Sequence, residues 1–96
     1  MFIRIETNNM FTSEGNDSLI QKIEEEYFLN TNNLIQIEFS ECFIKKTFFN
    51  KVIEFENLIK LYVLVDEGVW NFMTLYFTNK NYDQFQRIKR IIQNKE

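Results

Sequence analysis

The stretch Leu58–Thr78, LIKLYVLVDEGVWNFMTLYFT, decides the fold. It is dense in β-branched and aromatic residues, the types that fit a pleated, half-buried surface. Asp66-Glu67-Gly68 interrupts it once, and Gly at the third loop position suits the left-handed residue of a hairpin turn. Two strands joined by this loop put Leu64 opposite Trp70 and Tyr62 opposite Phe72. Period-two alternation then sorts the side chains. Ile59, Leu61, Val63 and Val65 share a face with Met73, Leu75 and Phe77, while Tyr62, Leu64, Trp70 and Phe72 occupy the other. Both faces are apolar, and one is enough for a core.

Working outward, Ile35, Ile37 and Phe39 alternate with Gln36, Glu38 and Ser40, which predicts a strand with one wet face. For residues 43–59 two periods compete. Ile44, Phe48, Val52, Phe55 and Ile59 fit one side of a helix, but Phe43, Phe49 and Ile53 do not, and the Phe, Ile and Thr content favours strands. Phe2–Thr7 alternates and predicts a first strand. Asn16 or Asp17 can cap a helix over Ser18–Leu29, with Leu19, Ile20, Ile23, Tyr27 and Phe28 on its apolar side and Asn30–Asn33 stopping it. Phe85, Ile88, Ile91 and Ile92 recur at helical spacing, so a second helix is expected over Tyr82–Gln93, started by Asn79 or Asn81. The expected fold is α+β: one domain over residues 1–96, an antiparallel sheet of about five to six strands, and two helices on one face.

The 96 residues carry 26% charged and 45% hydrophobic side chains, an ordinary globular balance. No apolar run is long enough to span a bilayer, and Arg4 and Glu6 break the apolar start that a signal peptide would need. A cytoplasmic location without membrane association is the expectation. Phe, Tyr, Met, Ile, Asn and Lys supply 50 residues, whereas Gly, Ala, Arg and Pro supply 5. Those sets use AT-rich and GC-rich codons respectively, pointing to an AT-biased genome such as that of a low-GC bacterium, its phage or a plasmid.

Chemistry is limited by what is missing. There is no histidine, the usual general base near neutral pH and the usual zinc ligand. One cysteine, Cys42, makes neither a disulfide nor a thiolate cage, and two glycines make no phosphate-binding loop. No enzyme, cofactor or metal site is expected.

Binding is better equipped. The surplus face of Tyr62, Leu64, Trp70 and Phe72, flanked by Asp66 and Glu67, has the aromatic anchors favoured at interfaces. Glu54 and Glu56 form an acidic row at a strand's spacing of about 6.6–6.8 Å, with Glu38 outward on its own strand. Net charge is −3, unevenly spread: residues 80–96 hold five basic and two acidic side chains, residues 1–79 six and twelve. An acidic body suits a protein partner with a basic, nucleic-acid-binding surface. The expected role is a small inhibitor from a phage or mobile element, anti-defence or anti-CRISPR in kind. A toxin-neutralising immunity protein has the same surface requirements, and a homodimer is a further expectation. The reading from a different class is a nucleic-acid-binding regulator that grips phosphates through Arg87, Lys89, Arg90 and Asn94 on the C-terminal helix.

Overall fold

A computed structural model describes residues 2–7, 10–14, 19–48, 50–66 and 68–94. Its strands are β1 (Phe2–Ile5), β2 (Met10–Glu14), β3 (Gln21–Lys22), β4 (Tyr27–Asn30), β5 (Leu34–Phe48), β6 (Lys51–Asp66) and β7 (Val69–Thr78), followed by helix α1 (Tyr82–Gln93). The principal sheet runs β3-β2-β7-β6-β5, and β1 pairs with β4 in a separate ribbon. Every pairing is antiparallel. The α+β class and the C-terminal helix are as the sequence predicts.

Among the described residues of the expected Ser18–Leu29 helix, 19–29, no helix forms. From Leu19 onward the chain instead forms β3, an irregular link and β4. Lys22 pairs with Phe11 and Tyr27 with Ile5. The apolar residues thought to share one helical face are divided between two cores. Ile20 packs with Phe11 and Phe55, Ile23 with Ile3, Met10 and the main cluster, and Leu19 and Phe28 point outward. Strand β1 needs a hydrogen-bonding partner, and β4 supplies it with its own alternation, Phe28 out and Leu29 in. The proposed cap residues Asn16 and Asp17 lie outside the described residues.

The main core sits on one face of the principal sheet. Ile59, Leu61, Val63, Leu75 and Phe77 pack there against Ile3, Ile5 and Leu29 of the ribbon and Phe85 and Ile88 of α1. The ribbon thus occupies the place expected for a first helix. Met73 packs against this cluster partly buried.

The β6–β7 hairpin pairs Leu64 with Trp70 and Tyr62 with Phe72, as expected. At the tip a bulge follows Leu64, so that Asp66 pairs with Val69, and Gly68 takes φ +72°. The described residues of 43–59 are strand and turn. Strands β5 and β6 form a long hairpin whose turn contains Asn50 at φ +66°.

Two bulges alter which residues face inward. One between Leu34 and Gln36 turns Ile35 out to 61% exposure and leaves Leu34, Ile37 and Phe39 against the core. Another, at Glu56 between Phe55 and Asn57, moves Phe55 to the opposite face of the sheet. There it meets Tyr76 at 5.4 Å and Phe11 at 5.1 Å between ring centroids. Ile44, Phe48 and Ile53 complete this second, smaller core.

Candidate protein-binding face

The four residues singled out on the β6–β7 hairpin stand together. Leu64 and Trp70 are direct cross-strand neighbours, and so are Tyr62 and Phe72. The Tyr62 ring lies 4.6 Å from Phe72 and 5.7 Å from Trp70, centroid to centroid. None of the four belongs to either core cluster. Phe72 is 52% exposed, and Tyr62, Leu64 and Trp70 are half-buried. Tyr62 touches both neighbouring rings, and the group still presents an apolar surface to water. Contiguous apolar surface of this kind marks interaction sites.

The local sequence explains the geometry. Alternation along β6 assigns Leu61 and Val63 to the main core and therefore turns Tyr62 and Leu64 away from it. Asn71, half-buried between Trp70 and Phe72, accepts a hydrogen bond at its Oδ1 from the Phe72 backbone N–H (2.9 Å). A shallow depression lined by Gln36, Glu38, Lys60, Tyr62 and Phe72 extends the patch across β6 onto β5. Asp66 is placed by its backbone opposite Val69 at the hairpin tip, and Glu67 lies outside the described residues.

The acidic rows are interleaved with lysines. Glu38 is directly opposite Lys60. Glu54 is opposite Lys45 and 3.8 Å from its Nζ, and Glu54, Glu56 and Lys80 line a common concavity. These pairings reduce the negative field that a row of carboxylates would otherwise project. Glu38 is the member of the set that adjoins the aromatic rings.

The basic helix is partly engaged by its own fold. Arg87 donates from Nη2 to the Arg4 backbone carbonyl (2.6 Å) and to Gln84 Oε1 (3.2 Å). The Lys89 ammonium lies 5.8 Å and 5.9 Å from the Phe39 and Phe85 ring centroids, within cation–π range. Arg90 is exposed and shares a shallow depression with Phe2, Arg87, Ile91 and Asn94.

Glu26, expected on a helical surface, instead bonds Arg4 at 2.8 Å. That hydrogen bond pushes the Arg4 guanidinium still higher than its ordinary value, aided by Coulomb attraction to Glu26 and Glu6. Among the described residues no group of three or more His, Cys, Asp or Glu is placed to hold a metal ion, and no helix is long and apolar enough to cross a membrane.

Sequence reasoning missed the second core. Ile53 and Phe55 stand four and two residues from Asn57 and continue the alternation of Ile59 and Leu61, so the sequence assigns them to the main core. The one available signal was Asn57, a polar residue in the apolar phase, next to which the bulge turns Phe55 to the other face.

No family model, curated protein or solved structure matches this chain.

Proposed function

We propose that the protein is a non-catalytic binding module that docks a protein partner on Tyr62, Leu64, Trp70 and Phe72. The observation that carries this reading is the contact of the Tyr62 ring with both Trp70 and Phe72, outside both cores. Trp and Tyr anchors bury large area with few rotatable bonds and dominate the energetics of many interfaces. Glu38 beside the rings, with Asp66 at the hairpin tip and Glu67 next to it in the sequence, suits a partner whose surface is basic. Proteins that handle nucleic acid carry such surfaces. The function that follows is inhibition of a cytoplasmic, nucleic-acid-handling host protein by a factor of phage or mobile-element origin, anti-CRISPR-like in kind.

Affinity capture from the native host with wild-type protein and with Trp70→Ala tests this. The expected result is a protein retained by the wild type, lost with the folded variant, and inhibited on nucleic acid by the purified wild type. Capture of a toxin would replace the anti-defence role with an immunity role on the same face. Salt-dependent binding of the purified protein to DNA or RNA, abolished by Arg90→Ala, would replace both with the basic-helix regulator.

A further inference from the structure

We propose that a second copy of this chain docks antiparallel on the outer edge of β5, joining two principal sheets across a two-fold axis at Phe43. The inference is independent of the aromatic face. The principal sheet ends at β3, which has two residues, and at β5, which has fifteen. One row of β5 backbone N–H and C=O groups therefore points away from β6. Such an edge is a template for another strand, and proteins usually shorten, cover or charge it.

Here the charge is polarised. Glu38 and Glu41 stand in the first half of β5, Lys45 and Lys46 in the second. Polarity of that kind repels a parallel copy in register and attracts an antiparallel one. The faces also match. Glu41 and Lys45 lie on the side of Ile37 and Phe39, which pack on the main core. Glu38 and Lys46 lie on the side of Ile44 and Phe48, which pack on the second. The β5–β6 register shifts between Glu41 and Ile44, yet β5 keeps its own alternation across the shift, with Glu41 on the main-core side and Ile44 on the second. An axis at Phe43 therefore sets Glu41 of each copy directly opposite Lys45 of the other. Glu38 is then diagonal to Lys46, and residues 38–48 are paired. Direct and diagonal neighbours are the cross-strand pairs that interact. Lys45 already faces Glu54 on β6, so the added Glu41 would complete a carboxylate–ammonium–carboxylate ladder across three strands.

The centre of this pairing is apolar. Phe43 is 79% exposed, the highest value among the large hydrophobics described, and a two-fold axis there sets it against its own copy. The contact is closed and isologous, so it ends at a dimer and leaves only residues 34–37 of the β5 edge uncovered.

The test is solution mass by light scattering on the full chain. The wild type is expected at twice 11.8 kDa, with dimerisation weakened by salt. Lys45→Glu/Lys46→Glu and Glu38→Lys/Glu41→Lys should each run at half the wild-type mass with unchanged circular dichroism. Mixed in equal amounts they should recover the dimer, because each restores the opposite charge for the other. Phe43→Asp should be monomeric and unrescued by either. A monomeric wild type at high micromolar concentration overturns the proposal. So does a mixture that stays monomeric, or a dimer indifferent to both charge variants and dissolved by Trp70→Ala.

Discussion

Tyr62 and Phe72 face each other across β6 and β7 with ring centroids 4.6 Å apart, on the side of the sheet opposite Leu61. The two sides of one hairpin thus have different work. Leu61 is 1% exposed within the core, whereas Phe72 is 52% exposed and Tyr62 and Trp70 are half-buried, with the Tyr62 ring against both of the others.

Trp70→Ala and Leu61→Ala separate those roles. Leu61→Ala removes a fully buried side chain and is expected to cost about 2–5 kcal/mol of stability. Trp70→Ala should cost less stability but weaken partner binding by at least about 2 kcal/mol. Denaturant midpoints and binding isotherms measured on both variants check this. A larger stability loss at Trp70, with unchanged binding by the folded fraction, would place the interface elsewhere.

Helix α1 docks through Phe85 and Ile88. Ile88 is fully buried, while Ile92, on the same stripe one turn later, is only half-buried. Ile88→Ala is expected to cost about 2–5 kcal/mol and Ile92→Ala clearly less. Equal midpoint shifts in urea would mean that the last turn of α1 is held more firmly than its exposure implies.

Why α1 was legible and the expected first helix was not is a matter of which constraint dominates. Tyr82–Gln93 has a solvated side and an apolar stripe that meets a ready-made sheet face, so local pattern and tertiary packing agree. In 18–29 the apolar spacing is equally helical, but β1 lacks a partner and β2 has an open side. Pairing Tyr27–Asn30 with β1, and Gln21–Lys22 with β2, satisfies backbone groups that a helix would leave unpaired. Long-range pairing overrode local period. The β6–β7 face was legible because alternation is a local rule and the loop fixes its phase. The second core was not, because one inserted residue, Glu56, reverses that phase for Phe55.

Gly68 has φ +72° with nothing within 4 Å of where a Cβ would stand. Gly68→Ala is therefore expected to cost about 1 kcal/mol through backbone conformation alone, with no steric rearrangement. Asn50, at φ +66° in the other hairpin, tolerates the left-handed region. Asn50→Gly should change stability little, whereas Asn50→Val should destabilise, because β-branched residues resist positive φ. Thermal midpoints of the three variants test the turn geometry.

The Arg4–Glu26 pair should matter little to stability, since both side chains are well exposed and water screens them. The sign follows from Arg4. Its raised folded value means that any stabilisation is complete below the ordinary guanidinium range and lost only above it, far beyond neutrality. Glu26→Gln should therefore shift the thermal midpoint slightly and equally at pH 6 and pH 8, and not at all in high salt. A large pH-dependent shift between those values would contradict an exposed pair.

Gln84 is the polar link between α1 and the segment after β1. Its Oε1 accepts from the Glu6 backbone N–H at 2.8 Å and from Arg87 Nη2 at 3.2 Å, while its buried Nε2 has no partner. Gln84→Leu would leave the Glu6 donor without its acceptor, and losing a part-buried hydrogen bond of this type costs about 1 kcal/mol. Gln84→Glu keeps the acceptor, removes the unpartnered NH2 and sets a carboxylate beside the Arg87 guanidinium. It should be more stable than Gln84→Leu at pH 7. The introduced carboxylate is favoured in its charged form by Arg87 and the Glu6 N–H, so its folded pKa should fall below the ordinary value of about 4.3. A depressed carboxylate contributes stability above its unfolded pKa and loses it as pH falls through the folded one. The advantage of Gln84→Glu over Gln84→Leu should therefore be full near pH 7 and shrink in acid. Urea unfolding of both variants at pH 7 and pH 3 measures it, and an advantage that grows on acidification would mean that burial, not Arg87, controls the carboxylate.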